Sequence, residues 1–137
     1  VSFVLIGPDQ LAQRRLRPAP NLHLLGRRPY SELPAYLQHA QVGLIPFDVA
    51  GHAELVHSVN PLKLHEYLAA GLPVVATEWD ELVALGSPAR LCRSREEFIA
   101  AVARAVSEPG DRKLYQDYAR GDRWESRVND LIRHLGL

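Results

Sequence analysis

An α/β fold built on a parallel sheet with helices on both faces is predicted by two features of the sequence. Short apolar runs alternate with amphipathic stretches along the chain, which is the pattern of successive β-α-β units. Runs such as Phe3–Ile6 are continuously apolar and end on turn residues, as buried strands do. The 137 residues, 47% of them hydrophobic, suit one domain over 1–137. Folding at that size buries roughly 68–70% of the surface, enough for a core without staples.

The elements follow in order. Ser2–Ile6 closes on Gly7-Pro8-Asp9 and reads as a buried strand. Residues 10–16 form a short Arg-rich helix or turn, broken by Pro18 and Pro20. Leu22–Leu25 is a second strand ending at Gly26. Ser31 can cap a helix over 32–39, with Leu33, Tyr36 and Leu37 on one face. Val42–Ile45 is a third strand. Residues 47–59 show no clean period and read as a loop, longer than the usual 4–6 residues. Asn60 is a good N-cap, Pro61 fits the first helical position, and Gly71 stops that helix near Ala70. Pro73–Thr77 is a strand, 79–85 a short helix and Ala89–Leu91 a weak last strand. Ser94 caps a helix over 95–108 that ends at Pro109-Gly110. Helices over 111–119 and 123–135 follow, the last capped by Asp122.

Composition excludes several classes. With 16 basic and 16 acidic residues the net charge is zero, which argues against nucleic acid or an acidic membrane surface as partner. The longest nearly apolar run, Tyr67–Thr77, is far shorter than the roughly 20 residues of a spanning helix. One cysteine leaves no internal disulfide framework, and the expectation is a cytoplasmic protein. The chain begins at Val1 and holds no methionine, which suggests a piece of a longer product.

In parallel sheets ligands bind beyond the carboxyl ends of the strands. The helix that starts at Asn60 opens on that edge. Its first turn carries Lys63, one of only two lysines. A cation there opposes the helix dipole unless something negative lies beside it. Glu66 shares its face three residues on. Cation, free N–H groups and carboxylate together suit a nucleoside diphosphate, with the carboxylate on the ribose hydroxyls. The plainer reading is an exposed i,i+3 ion pair, and on spacing alone that reading is preferred. His52, Glu54 and His57 could hold a metal, but H-x4-H off a helix is weak evidence, so they read as solvated loop residues and no metal is expected. Phosphate-loop, dinucleotide and nucleophile-elbow motifs are absent from the sequence. Cys92 reads as a core thiol.

The segment Asn60-Pro61-Leu62-Lys63-Leu64-His65-Glu66-Tyr67-Leu68-Ala69-Ala70-Gly71-Leu72-Pro73-Val74-Val75-Ala76-Thr77 resembles the motif P-x-K-x-x-E-[YA]-x-A-x-G-x-P-V-V of the donor-binding domain of group 1 (family-4-like) glycosyltransferases of the two-domain GT-B plan. Phe3–Pro8, Asn21–Gly26, Tyr30–Pro46 and Trp124-Glu125 are similar to that family's flanking segments, in the same order. The resemblance implies a Rossmann-like domain, and it favours the functional reading of Lys63 and Glu66. Lys63 would hold the donor diphosphate and Glu66 the ribose. Leu62 and Leu64 would offer backbone N–H groups to the phosphates, and the Gly26-Arg27 turn would lie against the base. Ser58 stands where the family often has a second Glu that contacts the transferred sugar.

By the same resemblance the chain starts at the domain's second strand, without the usual first β-α unit. The acceptor domain, with its catalytic residues, would belong to the parent protein. The implied donor is a UDP- or GDP-sugar, used without a metal or cofactor. The acceptor would be a glycan or a lipid-linked molecule, any membrane association being made through the parent. A nucleotide-sugar epimerase on the same plan and a non-catalytic α/β interaction module are the alternatives.

Overall fold

The computed structural model describes residues 1–8, 10–121 and 124–136. The chain divides into two compact units, Val1–Gln38 and His39–Leu137. Each is described by itself.

In the first unit β1 (Phe3–Leu5) and β2 (Leu22–Leu24) pair in parallel, with Val4 opposite His23. They are joined through α1 (Gln10–Arg15). A 3-10 turn over Tyr30–Glu32 leads into α2 (Leu33–Leu37). Two expectations fail here. The first strand is not buried: Phe3, Val4 and Leu5 are all exposed, because a two-stranded sheet has too little surface to cover both of its faces. Ser31 caps no helix; it lies inside the 3-10 turn, and Pro34 in the first turn of α2 sets the entry instead.

The second unit holds a parallel sheet in the order β3-β4-β5, formed by Gly43–Ile45, Val74–Thr77 and Arg90–Cys92. Leu44 pairs with Val75, and Ala76 with Leu91. The segment between β3 and β4 carries α3 (Ala53–Val56) and α4 (Leu62–Ala69). The expected loop over 47–59 therefore contains a helical turn, anchored by buried Val56. After β4 come α5 (Asp80–Ala84) and β5, then α6 (Arg95–Ser107), α7 (Arg112–Gly121) and α8 (Trp124–Leu135). The proposed cap Asp122 lies outside the described residues.

Alternation along β4 decides which helix covers which face. Val74 and Ala76 join Ile45, Leu64, Leu68 and Leu82 in one apolar cluster, on which Tyr115 and Tyr118 of α7 also pack. Val75 points to the other face, where it meets Cys92 and Ala101 of α6. The sheet is thus covered on both faces, as predicted. Leu64 and Leu68 are fully buried one helical turn apart, so they fix the rotation of α4 about its axis. Each such leucine contributes roughly 1.5–3 kcal/mol. Burial also pushes the Cys92 thiol up from its ordinary pKa, with Glu97 adding to the rise and Arg90 opposing it.

Two helix ends were legible locally. Ser94 Oγ accepts from the Glu97 N–H at 3.1 Å, and the Glu97 carboxylate accepts from the Arg93 N–H at 2.8 Å. The first bond caps α6 at Ser94, and the second satisfies the N–H of the residue before the cap. Gly71, at φ +77°, ends α4 in the left-handed conformation that only glycine adopts freely.

Candidate functional site

The start of α4 departs from expectation in a useful way. Pro61, not Asn60, is the N-cap, and no side chain caps the helix. Asn60 is used elsewhere: its Oδ1 accepts from His65 Nε2 at 3.1 Å. The first N–H groups of an α-helix lack intrahelical acceptors. No side chain caps the Leu62 and Lys63 N–H groups or the positive end of the dipole at this end of α4.

Lys63 is exposed in the first turn and Glu66 half-buried in the second. Burial raises the Tyr67 phenol above its ordinary pKa, and the neighbouring Glu66 charge raises it further. Leu62 is 76% exposed, so its side chain takes no part in the core. Leu64 is spent otherwise. Its side chain is in the core and its N–H donates to the Pro61 carbonyl at 2.9 Å. The expectation that Leu64 offers a free N–H therefore needs correction, since the first turn of α4 closes on itself at that point.

Ser58 is exposed on the segment that leads into α4. Gly26 and Arg27 belong to the first unit. Gly26 has φ +68° and its carbonyl accepts from the Gly7 N–H at 2.9 Å, so it makes the turn that follows β2. Arg27 is exposed beside it. Lys63, Glu66, Leu62 and Leu64 thus share one helix of the second unit, with Ser58 just ahead of it, while the Gly26-Arg27 turn is part of the first.

His57 Nδ1 donates to Asp80 Oδ2 at 3.0 Å. His52 starts α3 through its carbonyl, which accepts from the Leu55 and Val56 N–H groups. Among the described residues no group of three or more His, Cys, Asp or Glu side chains is placed to hold a metal ion. None of the described helices is long and apolar enough to cross a membrane.

Sequence reasoning missed the segment after β4. Trp79 is buried at 2% exposure, and its indole N–H donates to the Val59 carbonyl at 2.9 Å. The available signal was an aromatic with a polar handle set between acidic residues just past a strand. That bond also places residue 59, and so the start of α4, beside the carboxyl end of β4, the ligand-binding edge of such a sheet.

A parallel sheet with helices on both faces defines a Rossmann-like α/β domain. The comparisons give its family. A model of the group 1 glycosyl transferases matches residues 1–108, and the chain belongs to that family. It is also similar to a protein of Bacillus subtilis (strain 168) named as a teichuronic acid biosynthesis glycosyltransferase, TuaH. The two are 26% identical over 148 aligned positions, which cover 99% of this chain and 36% of that protein. The chain therefore spans about a third of the length of that relative.

Proposed function

We propose that this chain is the nucleotide-sugar-binding half of a two-domain GT-B glycosyltransferase, one that moves a glycosyl group onto a glycan or lipid-linked acceptor. The observation that carries the reading is the start of α4, where an uncapped helix end bears exposed Lys63 beside the carboxyl edge of the sheet, with Glu66 on the next turn. Family membership and the relative's name support a glycosyl donor as the ligand.

In this reading Lys63, the Leu62 N–H and the helix dipole hold the diphosphate of a UDP- or GDP-sugar. As the glycosyl bond breaks, negative charge grows on the leaving diphosphate. Fixed donors and a cation aimed at that charge lower the barrier without reorganising. Glu66 accepts from the ribose hydroxyls. Ser58 borders the sugar. The acceptor and the catalytic acid or base come from a second domain of the parent protein.

Calorimetric titration of the 137-residue chain with UDP and GDP tests this. Lys63→Ala removes a charge-assisted contact and should weaken binding by about 1.5–3 kcal/mol. Glu66→Gln keeps shape and one acceptor and should lose roughly 1 kcal/mol. Binding of neither nucleotide to the parent chain, or equal binding by parent and both variants, would overturn the assignment and leave a non-catalytic α/β module.

A further inference from the structure

One five-residue segment, 77–81, holds both ends of the 47–59 loop. At the entrance, Thr77 Oγ1 donates to the Phe47 carbonyl at 3.0 Å. The Phe47 ring stacks on Trp79, with centroids 5.1 Å apart and planes 14° from parallel. At the exit, the Trp79 indole N–H donates to the Val59 carbonyl, and the Glu81 N–H donates to the His57 carbonyl at 3.3 Å. The His57 and Asp80 side chains close the same corner. Asn60 then ties the loop's end to α4 through His65. Ser58 sits exposed between two residues, His57 and Val59, whose carbonyls are both pinned.

These ties are more than core packing requires. Phe47 and Trp79 belong to the apolar cluster, but the indole N–H, the Glu81 N–H and the Asp80 carboxylate are all aimed at the two or three residues around Ser58. We infer that the Trp79-Asp80-Glu81 turn is a positioning element for donor-sugar selection: it sets the place of the Ser58 backbone and hydroxyl relative to α4. This rests on the donor-site reading above and deepens it. The diphosphate end of the donor is read by α4 directly. The sugar end is read by a loop whose geometry is dictated by the turn that follows β4.

The two ends of the donor should therefore respond differently to substitution. Trp79→Phe keeps the aromatic stack and removes only the N–H donor. Asp80→Ala breaks the pair with His57 at an exposed site, so it leaves the fold intact and serves as the second variant. UDP, UDP-glucose, GDP and GDP-mannose are titrated against the 137-residue chain and both variants, and amide hydrogen exchange is followed over 47–59.

The expected result has three parts. Exchange over 52–59 speeds up in both variants. Affinity for the preferred nucleotide sugar drops roughly 3- to 10-fold, the size of one neutral hydrogen bond. Affinity for the matching nucleoside diphosphate stays within a factor of two. Unchanged exchange overturns the clamp. Faster exchange with an unchanged preference for nucleotide sugar over diphosphate overturns its role in selection. Equal losses for sugar and diphosphate reduce the segment to a structural support and also overturn it. Failure of the parent chain to bind any of the four probes sinks the donor-site reading itself and the selection role with it, while the exchange data still report the clamp separately.

Discussion

Gly43 is the closest approach between β3 and α4, and an added methyl group there should be felt. A Cβ built on Gly43 would lie 2.9 Å from Tyr67 Cβ and 2.5 Å from its Cγ, with Cδ2 nearer still. Carbon atoms prefer about 3.5–4.0 Å. The Tyr67 ring can swing away only in part, and its Cβ is fixed to the helix, so α4 itself must move off the sheet. Overpacking of this kind destabilises by about 1–3 kcal/mol. Replacing a strand glycine by alanine recovers roughly 0.5–1 kcal/mol of chain entropy. Because the tightest fixed contact is with a backbone-anchored atom, the clash wins, and Gly43→Ala should lose roughly 1–2 kcal/mol. For a domain of 60–100 residues each kcal/mol moves the melting temperature by about 4–8 °C. Thermal denaturation followed by circular dichroism measures the loss. A double-mutant cycle with Tyr67→Ala isolates the cause: removing the ring relieves part of the clash, so the double variant should be more stable than the two single losses predict, by at least about 0.5 kcal/mol. A melting temperature for Gly43→Ala equal to or above the parent's, or strictly additive losses, would refute the close-approach reasoning.

Three further expectations follow from the same coordinates. The binding loss in Lys63→Ala should shrink as salt is raised from 0.05 to about 0.5 M, because an exposed contact is screened; a loss independent of salt would mean that Lys63 acts through packing. Burial raises the Tyr67 and Tyr115 phenols, so the unfolded chain loses those protons first, and stability should hold below about pH 10 and fall above it. Melting temperatures between pH 8 and 11 should show that fall, and Tyr67→Phe should flatten it. Transfer needs donor and acceptor held together, and that proximity supplies up to about 7–11 kcal/mol. The 137-residue chain alone should therefore release no glycosylated product from a nucleotide sugar, and turnover above the solvent rate would place a complete catalytic site within it.

What was legible in the sequence was local. The cap at Ser94 reaches only three residues on, to the Glu97 N–H, and the stop at Gly71 needs only a glycine after an amphipathic run. Strand β4 was legible because Pro73 and the acidic turn bracket Val74-Val75-Ala76-Thr77. Burial was less so. The apolar run at β1 looks like a core strand, but its exposure depends on what lies over it, which no local pattern encodes. Asn60 shows the same limit in one side chain. Its chemistry suits a cap or a distant partner equally, and tertiary structure chose His65. The ties that hold the 47–59 loop join residues 20 and 30 positions apart, beyond any window of periodicity.

The placement of Lys63 and Glu66 was legible for a different reason, and it was the core that made it so. Leucines at 64 and 68 must face the sheet, because both are fully buried against β3 and β4. At 100° per residue, position 66 then lies about 180° from the centre of that face and position 63 about 120° from it, the two being about 60° apart. Neither side chain can turn inward without pulling a leucine out, at roughly 1.5–3 kcal/mol each. The helix end is also uncapped, so an exposed cation is retained exactly where the dipole disfavours it. A lysine there gains nothing from the helix dipole, and an i,i+3 pair with Glu66 would return only about 0.2–0.5 kcal/mol. In the donor-site reading proposed above, the ligand's diphosphate supplies the missing negative charge, and the salt dependence of the Lys63→Ala loss tests it.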